Sequence, residues 1–211
     1  MRLFLNICSC ICYILSFYFV FFFESTDSTG FLKKILIILL ALLIAAVGYF
    51  FYTSVLNPKS PKATTSIDLD GLSIEIDYAR PSKRGRTIFG TANENALLVY
   101  GKYWRLGANA PTVLKVNQNI TFAGKDLNAG QYTMYAFPNA EFWEIRLNTK
   151  INKSGHEQPN TSFDVLMTSI PVSTVQKSIE QLTISLKNKD SIVAMRIEWD
   201  NKKLIIPLKE R

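Results

Sequence analysis

The chain has 211 residues, a net charge of +7, 48% hydrophobic residues and only one histidine and three cysteines. That length allows one ordinary domain behind an N-terminal extension, large enough to bury a core without disulfides or metals. Arg2, Lys33 and Lys34 against Glu24 and Asp27 account for one unit of the charge, leaving 21 basic and 15 acidic residues in the remainder. Apart from Arg80, Lys83, Arg84 and Arg86 these cations are scattered, with no interleaved aromatic stripe. The pattern argues against nucleic acid and fits attraction to anionic lipids or polysaccharides.

Two apolar runs open the chain. Leu3–Phe23 is long enough to span a bilayer, diluted by Asn6, Ser9, Ser16 and all three cysteines (Cys8, Cys10, Cys12). Those cysteines lack the spacing and polar flanks of a zinc knuckle, so the rest of the chain needs no oxidative folding and suits either side of a membrane. Ile35–Tyr52 is cleaner: 18 residues without a charge, spanning roughly 27 Å as a helix. Arg2 and Lys33-Lys34 each ask for the cytoplasmic side, which sets the two runs in conflict as a hairpin. The paired lysines beside the cleaner run decide for a helix that enters from the cytoplasm, with residues 53–211 on the far side. An upstream start assignment would remove the conflict by making residues 1–30 foreign to the natural product. The second run is too long for a cleaved signal and lacks a small-x-small site, so it reads as an uncleaved anchor. The expected organisation is therefore 1–30 as an apolar N-terminal segment, 31–53 as a transmembrane signal anchor, 54–64 as a linker stiffened by Pro58 and Pro61, and 65–211 as an extracytoplasmic β domain.

From Ile67 onward the period is two. Ile67–Leu69 and Leu72–Tyr78 flank Asp70-Gly71, a strong hairpin signal. Ala96–Tyr100, Thr112–Val116 and Ile120–Ala123 read as short strands. Gly124-Lys125-Asp126 and Asn128-Ala129-Gly130 supply turn chemistry before Gln131–Phe137, and Phe142–Leu147 comes next, ahead of a polar loop over Asn148–Asn160. Weak helical periodicity falls on Val172–Ile179. A closing meander alternates through Leu182–Leu186, Val193–Trp199 and Leu204–Leu208, with turns at Lys187–Asp190 and Asp200–Lys203. Short strands at this spacing predict an all-β fold, an antiparallel β-sandwich or barrel-like domain.

Three blocks carry what specificity the chain has: Tyr78-Ala79-Arg80-Pro81-Ser82-Lys83-Arg84-Gly85-Arg86-Thr87-Ile88-Phe89-Gly90, Tyr100-Gly101-Lys102-Tyr103-Trp104-Arg105-Leu106-Gly107-Ala108-Asn109, and Ala129-Gly130-Gln131-Tyr132 running on to Phe142-Trp143-Glu144-Ile145. Together, over roughly residues 60–208, these resemble a bacterial family of mostly exported β-proteins, domain of unknown function 2911. The resemblance implies an exported, β-rich single domain and names no reaction. The chain departs from the family pattern where Ala110-Pro111 stands in place of an acid after Gly-Ala-Asn, and where Ser154-Gly155-His156 stands in place of Trp-Gly.

Each candidate has a structural role beside a functional one. Arg80, Arg84 and Arg86 form a solvated basic turn or an anion clamp for carboxylate, sulfate or phosphate. Trp104 and Arg105 form a core aromatic with a paired cation, or a platform and fork for a sugar ring. Asn109 belongs to an Asx-turn or to a ligand contact. Tyr132, Tyr135 and Trp143 fit alternating core positions. His156 reads as a surface loop residue, without the partners a metal site or a serine triad requires. No phosphate-binding loop or dinucleotide fingerprint is present, so neither cofactor nor metal is expected. The expected function is a binding or envelope-associated module for an anionic glycan, lipid headgroup or protein partner. The competing class is an envelope carbohydrate-active hydrolase or isomerase with carboxylates that meet only in space.

Overall fold

A computed structural model describes residues 28–56, 59–151, 154–189 and 192–211. The chain divides into two units, Met1–Pro58 and Lys59–Arg211. The run Leu3–Phe23 lies outside the described residues.

In the first unit, helix α1 covers Ser28–Phe51 and ends in one wide turn over Tyr52–Leu56. The Thr53 hydroxyl donates back to the Tyr49 and Phe50 carbonyls at 3.1 and 3.2 Å, occupying acceptors where the ladder widens. Its Leu, Ile, Val, Phe and Tyr side chains are exposed on every side, so no polar face offers water a surface. The 25 residues Gly30–Ser54 are long and apolar enough to cross a membrane, as an anchor or a signal sequence.

The second unit is a sandwich of antiparallel sheets. Its strands are β1 (Lys62–Leu69), β2 (Leu72–Ala79), β3 (Phe89–Gly90), β4 (Leu98–Val99), β5 (Thr112–Val116), β6 (Ile120–Phe122), β7 (Lys125–Leu127), β8 (Gly130–Pro138), β9 (Phe142–Asn148), β10 (Asp164–Pro171), β11 (Ser173–Lys189) and β12 (Ile192–Glu210). Six of them form one sheet in the order β1-β2-β5-β8-β9-β10, and β11-β12-β6-β7 form the other. The two-residue pair β3–β4 runs parallel. The alternation that predicts the strands also predicts the core. Leu72, Ile74 and Ile76 of β2, Leu114 of β5, Met134 of β8 and Ile145 of β9 meet Ile184, Met195, Ile197, Ile206 and Phe122 of the second sheet, all buried. Asp70-Gly71 makes a two-residue turn with both φ values positive (48° and 93°), opposite the Leu69–Leu72 pair, which matches the strand twist.

The sheets approach each other at both edges, β1 beside β11 and β10 beside β7. At the first of these the Tyr78 hydroxyl donates to the Ile184 carbonyl and accepts from the Ile184 amide. One phenol on β2 thus satisfies the open edge of β11 at Ile184, which pairs with Ile197 of β12 on its other side. Just before that point strand β11 slips against β12: its register shifts between Thr174 and Ile179 and again before Thr183. Its Glu180–Leu182 stretch bonds instead to the chain after β2, with Lys83 N on Glu180 O and Leu182 N on Pro81 O.

Several expectations are corrected. From Ser173 on, the Val172–Ile179 stretch is strand, and register shifts along it break the period of two. Asp200–Lys203 is no turn: β12 passes through it with Asp200 at φ 52°, and a residue is added to the strand without reversing it. Ala96–Tyr100 contributes only β4, and Lys125–Asp126 belongs to a strand, β7, that pairs with β6. Strand β10 has no counterpart in the sequence reading, because Val165 and Met167 stand exposed between buried Leu166 and Ile170 and hide the alternation. Of the expected Lys187–Asp190 turn, residues 187–189 are strand, paired with 192–194, and residue 190 lies outside the described ones.

On the outward face of the first sheet Lys115 donates to Glu75 at 2.6 Å and to Asp77 at 2.7 Å. The Lys115 ammonium and then the Thr64 hydroxyl hold the Asp77 carboxyl below its ordinary range. A depressed folded value contributes stability that is full above the unfolded carboxylate value and vanishes as pH falls through the folded one. Since Asp77 is 42% exposed, the pair is screened and its share stays within a few tenths of a kcal/mol. The expected outcome is that Lys115→Met flattens the loss of stability below pH 4 and leaves neutral stability nearly unchanged, read from urea melts across pH. An identical acid limb in the variant would refute it.

Candidate functional site

The first two sequence blocks and the Phe142–Ile145 part of the third converge on the end of the sandwich where β2 finishes and β5 begins, while Ala129–Tyr132 opens β8 at the other end, with Gly130 opposite Val116. Gly107 lets the chain before β5 lie on β2: a Cβ there would stand 3.0 Å from the Ala79 carbonyl oxygen. Trp104 bridges to Ala136 of β8 and enters the core with 4% exposure. Its ring stacks on Trp199 at 5.9 Å and meets Trp143 and Phe89 edge-on at 5.3 and 5.8 Å. All three tryptophans of the chain and the Phe89 of the first block therefore plug this end as one aromatic cluster.

The candidate residues divide by what holds them. Arg80 donates from Nε to the Leu182 carbonyl at 3.1 Å and from Nη2 to the Thr183 hydroxyl at 3.0 Å, as a strut across the seam between sheets. Arg86 donates to the Lys83 and Ser82 carbonyls at 3.0 and 2.7 Å, closing its own loop. Lys83 pairs with Asp200. Trp104 turns its ring inward and its Nε1 to the Gly107 carbonyl. Arg84 sits at φ 51°, exposed, with its amide on Glu180. Among the described residues the guanidiniums of Arg84 and Arg105 have no hydrogen bond or ion pair.

Arg105 and Asn109 come together with the Ser154-Gly155-His156 loop, which the sequence marks only as a departure from the family pattern. Gly155 donates its amide to the Asn109 carbonyl at 2.9 Å and accepts the Tyr103 hydroxyl at 3.2 Å. A Cβ on Gly155 would stand 2.7 Å from Arg105 Cδ and 3.1 Å from the Asn109 oxygen, so the absent side chain leaves room for the arginine stem. Burial pushes the Tyr103 hydroxyl up, and the Arg105 charge opposes that shift; the phenol and the arginine stem both meet Gly155. Asn109 is exposed at φ 62°, and His156 is exposed in the adjoining turn, its amide on Ser154 Oγ. The arrangement offers a half-buried guanidinium without a hydrogen-bond or ion-pair partner, its stem on the same glycine as the Tyr103 phenol, which is apparatus for holding a carboxylate or sulfate.

Next to it, on the outward face of β8–β10, lies a denser polar network. Asp164 accepts from Tyr135 Oη at 2.8 and 2.7 Å, from Asn148 Nδ2 at 2.7 Å and from Arg146 Nη1 at 3.3 Å. Arg146 also donates Nε to Glu144 at 2.6 Å and lies over the Phe137 ring at 5.0 Å. Tyr135 is fully buried but outside the inter-sheet core: three residues after Tyr132, it must face the other way. Burial, with Asp164 adding to it, pushes the Tyr135 hydroxyl up, so it stays protonated as a donor. Asn148 ties the same network to the 149–163 segment through the Asn160 carbonyl at 2.9 Å. An acid engaged by three donors acts as a fastening for that segment. No three His, Cys, Asp or Glu residues gather as metal ligands among the described residues.

Comparison with curated proteins and with solved structures finds no match. The motifs that build this end of the sandwich fall within a matched family region: residues 60–208 fit the model described as a protein of unknown function, DUF2911, and the chain belongs to that family.

Proposed function

We propose that the β unit is an extracytoplasmic binding module, held at a membrane by α1, and that the Tyr103–Arg105–Asn109–Gly155 surface takes an anionic glycan through its carboxylate or sulfate groups. The location rests on the apolar span and on Lys33-Lys34 at its leading end, which favours the cytoplasm for that side. The observation that carries the binding reading is the Arg105 guanidinium, which sits half-buried without a partner while Arg80 and Arg86 are committed to backbone carbonyls. A cation left open beside donors is suited to a ligand and contributes little to the fold.

The expected outcome is that Arg105→Ala abolishes retention of uronate or sulfated oligosaccharides by the detergent-solubilised full chain, while stability changes by less than about 0.5 kcal/mol. Arg86→Ala, which frees two carbonyls of its loop, moves the melting transition more and retention less. Calorimetric titration and urea melts on both variants decide it. Retention unchanged in Arg105→Ala, or the reverse ranking, overturns the reading.

A further inference from the structure

The face of the four-stranded sheet that looks away from the core has a composition set by register. Leu182 and Ile184 of β11, Val193, Met195, Ile197 and Trp199 of β12, and then Leu204, Ile206 and Leu208 are buried. Their alternates Ser185, Lys187, Ala194, Arg196, Glu198, Lys203, Ile205, Pro207 and Lys209 therefore point outward. Ser185 lies opposite Arg196, Lys187 opposite Ala194, and Lys209 opposite Thr121. Among the described residues none of Lys187, Arg196, Lys203 and Lys209 makes a side-chain hydrogen bond or ion pair; Glu198 lies among them, and Asp126, opposite Thr121 on the same face, is paired with Arg211. The opposite sheet is built in the contrary sense: its two central cations, Lys115 and Arg146, are each held by two carboxylates.

We propose that this outward face of β11–β12–β6 docks on an anionic phospholipid surface. Four unpaired cations over small neighbours (Ser185, Ala194, Thr121) form a charged array along β11–β12–β6 without an aromatic for bases or sugars to stack on, which suits anionic headgroups. Ile205, 42% exposed, and Pro207 stand between Lys203 and Lys209 as apolar groups that enter an interface at little cost. The chain supplies the surface as well. Only residues 53–61 connect the apolar run to β1, a reach of at most roughly 30 Å. The inference rests on the anchoring by α1 and is independent of the Arg105 site.

All three tryptophans lie in the β unit, so energy transfer from them to a dansyl-labelled lipid reads its approach to a bilayer without a further label. The full chain is reconstituted in phosphatidylcholine vesicles with and without about one third phosphatidylglycerol, and flotation confirms insertion. Transfer is expected to rise with phosphatidylglycerol and to return to the neutral-lipid level in 1 M salt. At about fivefold per cation, combining Lys187→Glu, Arg196→Glu, Lys203→Glu and Lys209→Glu lowers the docked population by at least about a hundredfold. The same four positions changed to Gln serve if the Glu variant fails to fold. Transfer indifferent to lipid charge, transfer kept in the Gln variant, or transfer that tracks protein density instead of phosphatidylglycerol (contact between copies) overturns the proposal. Failure of flotation instead refutes the anchor, a separate result.

Discussion

Asp164→Ala is expected to lower the unfolding free energy by about 3–5 kcal/mol, the range for removing one partner of a buried charged network. The carboxylate is 12% exposed and collects Tyr135, Asn148 and Arg146. Its loss leaves a fully buried phenol without an acceptor and a guanidinium with Glu144 alone. Unmet buried donors carry their whole desolvation cost, which exceeds what the hydrogen bonds themselves contribute. Because Asn148 also holds the Asn160 carbonyl, the 149–163 segment loosens with it, and with it Gly155 under Arg105. Urea melts and amide exchange read both effects: protection at Thr149 and Phe163 falls more than at Leu114. Asp164→Asn, which keeps an acceptor but no charge, loses about half as much. A cost under 1 kcal/mol for the alanine variant would show that the network fastens nothing.

Trp104→Ala has a comparable effect for a different reason. Truncating a buried tryptophan costs about 3–5 kcal/mol through lost burial and the cavity left behind. Here the ring also supplies contacts to Trp143, Trp199 and Phe89 and a hydrogen bond that pins Gly107. Near-UV circular dichroism loses its aromatic signal together with the melting transition. Trp104→Phe keeps most of the packing and any anionic-glycan affinity. Trp143→Phe gives up an Nε1 that has no hydrogen-bond partner, and costs less than Trp104→Phe on that account. The core role of Trp104 fails if the alanine variant melts as wild type and loses only ligand.

The legible parts of the fold are those where local chemistry and tertiary packing agree. Asp70-Gly71 fixes a hairpin by φ alone, and Thr112–Val116 alternates cleanly between core and solvent. β10 is illegible because its exposed positions are apolar, and Val172–Ile179 because bulges that serve a change of partner erase the strand period. The site shows the same division. Loop composition brings Arg80, Arg84, Arg86, Arg105 and Asn109 to notice, but nothing local tells an arginine that binds the chain's own carbonyls from one left open. That depends on Leu182 and Thr183, a hundred residues away in the chain. Tyr103 lies in a motif block and Gly155 at a departure from the family pattern, but neither these nor the Asp164 network reveal their partners, which are set by sheet order. Only the impossibility of Tyr132 and Tyr135 sharing a face is written in the spacing.

The added residue at Asp200 makes Asp-Asn-Lys-Lys the most length-sensitive stretch of β12. Upstream the odd-numbered side chains are buried and downstream the even-numbered ones, so this hydrophilic tetrapeptide works as a phase converter. Dropping or inserting one amino acid there would evert Leu204, Ile206 and Leu208, whereas exchanging the exposed Asn201 side chain would not. The number of residues in this stretch is therefore constrained even where, as at Asn201, the side chain is not, while Asp200 is held besides by its pair with Lys83.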